Sequence, residues 1–207
     1  MYRSDSLVSH IAMSDEPDNF CADMQRYIAT TTIGPSALRN QGSPGVISKA
    51  QRFLSKLDVA KFAVNDEESF LRVLNSATDQ LQHGLPADSQ HWGAARKALN
   101  LFLRDVCYNR FICLRHPPLA ILEPWLEIPL DNLVATALKK HAGRGGLPKW
   151  PGLKRLTSVV SQKFQSEAKK WANSEGVSRV HLDMRIWLRE RTKLANNALH
   201  RTARGRR

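Results

Sequence analysis

The feature that most constrains the fold is the spacing of apolar residues, which recurs at helical intervals and nowhere alternates as in a strand. The clearest segment starts at a capping-box-like Asp66 and ends where Gly84 and Pro86 interrupt it. Further helices are predicted over residues 46–57, 88–108, 131–141, 158–173 and 180–196. Five or six helices without strands predict a compact all-α domain.

The chain of 207 residues is 42% hydrophobic, which is enough for one sizeable core. Residues 1–30 are polar and weakly patterned, so we expect a weakly ordered N-terminal arm. Residues 31–195 form the single helical domain. Residues 196–207 carry small polar and basic residues, which predict a disordered basic tail.

The net charge of +12 predicts a polyanionic partner, because a positive surface attracts phosphates and releases their counterions. Residues 139–207 hold 18 Lys and Arg but only 4 Asp and Glu, so this third of the chain should supply most of the binding surface. Charge alone does not choose among DNA, RNA and an anionic membrane. No apolar run approaches the ~20 residues of a membrane span.

Cys21, Cys107 and Cys113 are odd in number and lack metal-ligand spacing, which favours a reduced protein without a metal site. The first thirty residues do not have the basic, apolar and small-residue order of a signal peptide. We therefore expect a cytoplasmic, nucleoid-associated protein. No cofactor motif or obligate protein partner is evident.

Lys97 follows the small residues Gly93, Ala94 and Ala95 and precedes an apolar helical stripe. Most lysines at such positions are solvated surface charges. Small residues nevertheless allow another backbone to approach closely. A lysine held against an apolar wall loses hydration, which makes its free amine available as a nucleophile.

Asp131 opens another helix, 34 positions after Lys97. Asp at this place is a common N-cap, and capping alone explains it. A capping carboxylate is also rigid and charged, so it can face a sugar whose glycosidic bond is breaking. The two roles are compatible.

Asp183 and Trp187 lie four positions apart and so share one face of a helix, where they could meet one planar ligand. A helix-start cap and a buried tryptophan are the structural alternative. Gln41, in a turn-rich loop, could hydrogen-bond a base edge.

Three segments together resemble the helix-hairpin-helix DNA glycosylases, most closely the archaeal-type 8-oxoguanine DNA glycosylases called AGOG. They are the turn with Lys97, the segment Pro129-Leu130-Asp131, and the segment His181-Leu182-Asp183 with Trp187. The resemblance covers about residues 90–190, although the turn from Trp92 to Lys97 keeps only one glycine of the usual hairpin.

The resemblance implies that Lys97 is the Schiff-base nucleophile and Asp131 the catalytic carboxylate. Asp183 and Trp187 then become base-binding residues, and the loop position of Gln41 separately makes it a third candidate. The implied fold is a helix-hairpin-helix glycosylase-like domain, and the mechanism needs no cofactor.

Contacts with DNA phosphates are predicted from basic residues near these segments. They are Arg96, His181 and, in a second hairpin-like turn, Lys149, Lys154 and Arg155.

The predicted function is a DNA glycosylase with β-lyase activity that flips a modified base out of double-stranded DNA and excises it, with 8-oxoguanine as the expected base. One alternative is a glycosylase for another modified base, such as a modified pyrimidine of phage DNA. The other is a basic helical protein that binds nucleic acid without chemistry.

Overall fold

The computed structural model describes the backbone of residues 16–204 and the side chains of residues 19–192. This part of the chain is helical and contains no strand, which confirms the predicted all-α class. Its α-helices are α1 (Glu16–Thr32), α2 (Pro35–Leu38), α3 (Val46–Leu54), α4 (Glu67–Gly84), α5 (Trp92–Tyr108), α6 (Arg110–Arg115), α7 (Asn132–Ala142), α8 (Ser158–Ser174) and α9 (His181–Arg204). Short 3₁₀ turns lie at Val59–Phe62, Ala87–Ser89, Pro117–Ile121 and Leu153–Arg155.

Helix starts follow the capping residues that the sequence offers. Asp66 accepts a hydrogen bond from the backbone N–H of Ser69 at 2.7 Å, and α4 ends at Gly84 as predicted. Thr157 caps α8 through the N–H of Val160. Each cap satisfies a backbone donor that the helix leaves without an internal partner.

Helix α1 differs from the weakly ordered arm expected for residues 1–30. Ile28 and Ala29 are buried in the core, and the Gln25 amide donates to the carbonyls of Leu54 and Leu57. The few apolar residues of this segment fall at helical spacing, but the polar residues between them hide the pattern. Residues 16–30 therefore belong to the domain, whereas residues 1–15 lie outside the described part.

Helix α9 also differs from its predicted end, since it continues to Arg204 through the stretch that was expected to be a disordered tail. This stretch contains Leu and Ala, which favour helix, and there is no Gly or Pro between His181 and Arg204. Residues 205–207 lie outside the described part of the chain.

The buried residues form two hydrophobic cores. The first is built from α1 to α6 around Phe70 and Phe102, and the second from α7 to α9 around Phe164. Helix α5 belongs to the first core, but Trp92 at its start packs against the second. The start of α5 therefore lies where the two cores meet.

Within the described residues, no helix has both the length and the apolar composition that crossing a membrane requires. All three cysteines are free thiols.

Candidate active site

Lys97 lies in the second turn of α5, with only 8% of its side chain exposed. Its Nζ donates a hydrogen bond to Asp131 Oδ2 at 3.2 Å. The structure therefore brings together the two residues predicted to act as a pair. A buried ammonium with one carboxylate partner is held in a single place, because leaving it unpaired there would cost several kcal/mol.

Asp131 caps α7, as its position in the sequence predicts. Its Oδ1 accepts the backbone N–H of Val134 at 3.0 Å, while Oδ2 faces Lys97. The carboxylate is one-third exposed, so one side of it remains open to solvent. Capping orients the group, and the open side leaves room for a substrate.

Gln165 of α8 fixes the segment that leads into Asp131. Its Oε1 accepts the N–H of Ile128 at 3.1 Å, and its Nε2 donates to the Ile128 carbonyl at 2.8 Å. These two bonds satisfy the N–H and the carbonyl of Ile128. The residue is buried and lies outside the helices, so it has no regular backbone partners. Sequence reasoning missed Gln165, because nothing in its position on α8 shows a partner across the fold.

Gly93 allows the close backbone contact that the small residues before Lys97 predict. A Cβ added at Gly93 would lie 2.4 Å from the carbonyl oxygen of Leu153 and 2.7 Å from the Leu156 side chain. The 3₁₀ turn Leu153–Arg155 therefore packs directly against the start of α5. This contact brings the basic turn beside Lys97.

A cavity of about 590 Å³ opens at the Lys97–Asp131 pair. Helix α5, the start of α7, the loop after α2 and the turn Leu153–Arg155 form its walls. The volume lies within the range of ordinary small-molecule sites. Two neighbours that the sequence did not single out also line the cavity, Arg39 and Asn132.

Gln41 lines the same cavity and is 9% exposed. Its Nε2 donates to the Arg39 carbonyl at 3.0 Å, while its Oε1 is buried and has no hydrogen-bond partner among the described residues. An unpaired buried acceptor costs roughly 1–3 kcal/mol. Because Oε1 has almost no exposed surface, the Gln41 side chain would have to rotate toward the cavity before a ligand N–H or O–H group could satisfy it.

Of the residues predicted to contact phosphates, Lys154 and Arg155 are exposed and line the cavity. Lys149 is exposed in the preceding loop but does not line it. The adjacent Trp150 donates its indole N–H to Asn132 Oδ1, which ties this loop to the start of α7. Basic side chains therefore rim the cavity on one side.

The prediction that Arg96 binds DNA is wrong. Arg96 is 5% exposed, its two terminal nitrogens donate to Thr78 and Asn75, and its Nε lies 3.0 Å from Glu127 Oε2. Burial lowers the pKa of the guanidinium, and the charge of Glu127 opposes this shift. Arg96 points away from Lys97 into the interior, since consecutive helix residues face different directions.

Asp183 is paired with Arg104, whose Nη1 donates to Asp183 Oδ2 at 2.6 Å. The side chain of Asp183 is only 21% exposed, and burial raises its pKa to about 6. Arg104 and Lys97 oppose the shift, whereas the negative charge of Asp131 adds to it. Asp183 does not line the cavity, so the structure shows no contact that supports its predicted base-binding role. It lies close enough to Asp131 and Lys97 to interact with their charges.

Trp187 and His181 lie outside the cavity. Trp187 is 48% exposed, with the guanidinium of Arg191 over its ring at 4.7 Å. His181 lies with its Nε2 3.4 Å from Glu123 Oε1 and its ring near Tyr108. Neither residue meets the Lys97–Asp131 pair in this conformation.

Comparison of the chain with known protein families, curated proteins and solved structures gives no match.

Proposed function

We propose that this chain is a DNA glycosylase with β-lyase activity that removes a modified base, with 8-oxoguanine as the first candidate. The observation that carries the proposal is the hydrogen bond between Lys97 and Asp131 at the edge of a cavity. An amine and a carboxylate at this distance supply a nucleophile and a proton acceptor in one place.

In the proposed reaction, Asp131 accepts a proton from Lys97 and the freed Nζ attacks C1′ of the flipped nucleotide. The bond from C1′ to the base breaks, and its electron pair leaves with the base, which takes up a proton. That proton comes from Asp131, which thereby regains its negative charge and stabilises the positive charge that develops on the sugar. Opening of the sugar ring gives an imine to Nζ, and loss of a C2′ proton then expels the 3′ phosphate.

The surroundings of the pair support a flipped base as the ligand. The unpaired Oε1 of Gln41 needs a donor, and 8-oxoguanine carries an N–H at N7 where guanine presents only an acceptor. Flipping costs a few kcal/mol, and contacts in the cavity would offset it. Lys154 and Arg155 would bind the flanking phosphates.

The test is borohydride trapping on a duplex that contains 8-oxoguanine, with an abasic duplex alongside. We expect a covalent adduct on both duplexes and none with Lys97→Gln. A matched control is Lys163→Gln, because Lys163 is exposed on α8 and does not line the cavity.

Each outcome separates the candidates. Trapping on the abasic duplex alone would keep the lysine chemistry and move the search to another modified base, such as a modified pyrimidine. Salt-sensitive DNA binding with no adduct and no base release would favour a protein that binds nucleic acid without chemistry. An adduct that persists in Lys97→Gln would assign the nucleophile to another residue.

A further inference from the structure

A second cavity of about 720 Å³ lies between α3 and α4, on the first core. None of its lining residues lines the cavity at Lys97. We call it the α3–α4 groove. The proposed glycosylase reaction does not use it.

The walls of the groove are strongly basic. Lys49 and Arg52 lie one turn apart on α3. Lys56 follows just after the end of α3, and Lys61 belongs to the 3₁₀ turn Val59–Phe62. These four side chains are exposed, and the described carboxylates form no ion pair with them. The positive charge of this surface is therefore left for a partner.

The two other charged residues of the groove are already engaged. Arg72 pairs with Glu68 at 2.6 Å, and the Asp58 carboxylate accepts the N–H of Ala60 at 3.2 Å. Among the described residues, five cations and one acidic side chain, Asp58, line the groove. The lining therefore carries a clear excess of positive charge.

The floor of the groove is apolar. Phe53, Leu57 and Val73 are half-buried, and Phe62 and Ala77 are buried beneath them. Covering apolar surface gains about 25 cal/mol of free energy per Å² removed from water, so binding of an apolar group to this floor is favourable.

This combination favours an acidic peptide over a single-stranded nucleic acid. Single strands bind across rows of accessible aromatic rings, on which successive bases stack. Here Phe53 is the only half-exposed ring among the lining residues, and the rest of the floor is aliphatic or fully buried. A peptide with acidic side chains for the walls and bulky apolar side chains for the floor matches both features.

We propose that the α3–α4 groove is a docking site for an acidic peptide segment of a partner protein that carries apolar side chains. The cations steer the segment to the groove, and the apolar side chains bury themselves on Phe53, Leu57 and Val73. The groove shares no lining residue with the cavity at Lys97. Failure of the proposed function would therefore leave this proposal intact, and the reverse also holds.

The test is fluorescence anisotropy of the full chain with a labelled short peptide in which acidic residues alternate with phenylalanine. We expect binding that weakens by about tenfold or more in the double variant Lys49→Glu, Lys56→Glu. The matched control is Lys139→Glu, Lys163→Glu, which changes the net charge equally on exposed residues of α7 and α8. This control should bind the peptide far better than the groove variant does.

A second peptide, with serine in place of phenylalanine, tests the floor without changing the protein. It should bind much more weakly than the first. Equal binding of the two peptides would overturn the proposal, because charge alone would then explain the affinity. The proposal also fails if the groove variant loses affinity for single-stranded DNA as strongly as for the peptide.

Discussion

At the scale of single residues, the two oxygens of Asp131 have different partners. Oδ1 holds the first turn of α7 and Oδ2 holds Lys97. The cap of α7 and the proposed catalytic role therefore depend on the same side chain. A substitution to alanine removes both, so it cannot tell them apart.

A pair of substitutions at Asp131 separates the two contributions. Both variants remove the charged partner of the buried Lys97, so each should lower the free energy of unfolding by on the order of several kcal/mol. Asparagine keeps an oxygen for the Val134 N–H and is an equally good cap, so Asp131→Ala should be less stable than Asp131→Asn by about 1 kcal/mol. Both should slow base release by about a hundredfold or more. Urea unfolding and single-turnover base release measure the two effects, and a fully active Asp131→Asn would exclude a catalytic carboxylate.

Asp183 should make stability depend on pH. Its pKa is raised to about 6 in the folded chain from 3.8, so the folded state keeps a proton that the unfolded state has lost between these values. Its contribution to stability is largest below about pH 4 and is lost as the pH rises through about 6. Urea unfolding should therefore show that Asp183→Asn gains stability relative to the unchanged chain over this window, by on the order of 2 kcal/mol. Parallel pH profiles for the two proteins would contradict the assignment.

Residue type and position were enough to predict the cap at Asp131, whereas its pairing with Lys97 was expected from the resemblance to helix-hairpin-helix glycosylases. Gln41 lines the same cavity as this pair. Residue type and position failed for Arg96, because sequence shows that an arginine lies beside Lys97 but not that it turns inward to Glu127. They also failed to join Asp183 to Arg104, since such a contact across the fold depends on how whole helices pack.

At the scale of elements, the contact between α5 and the turn Leu153–Arg155 depends on Gly93. Any side chain there meets the backbone of Leu153, which cannot rotate out of the way. The turn must then move, and Lys154 moves with it. The alignment of the basic rim with Lys97 follows from this one position.

Gly93→Ala should therefore destabilise the chain by about 1–3 kcal/mol, as expected for overpacking. Thermal unfolding followed by circular dichroism measures this. Gly84→Ala is the matched control, because a Cβ at Gly84 meets nothing within 4 Å and should leave stability unchanged or slightly higher. Equal behaviour of the two variants would show that the turn does not pack as tightly as described.

Helices with a clear apolar stripe and a capping residue were predictable from sequence, as α4 and α7 show. Helix α1 was missed because its buried face is narrow and its other residues are polar. The short α2 and α6 were missed because one or two turns are too few to establish a period.

At the scale of the whole molecule, the excess of positive charge should set the salt dependence of the proposed DNA binding. Lys154 and Arg155 lie at the cavity, so removing either should reduce the slope of log K against log salt by about one and weaken binding to every sequence alike. Titrations at several salt concentrations with Lys154→Ala and Arg155→Ala measure the slope, with Lys163→Ala as control. If both variants gave the same slope as the unchanged chain, Lys154 and Arg155 would not contact DNA phosphates.

The two residues of the proposed site are held by different hydrophobic cores. Lys97 is carried by a helix of the first core, and Asp131 opens a helix of the second. Neither core alone can assemble the pair. Loss of the Lys97–Asp131 pair, and of the activity proposed for it, should therefore follow whichever core melts first. A chain with one core still folded would keep much of its helix signal without this pair.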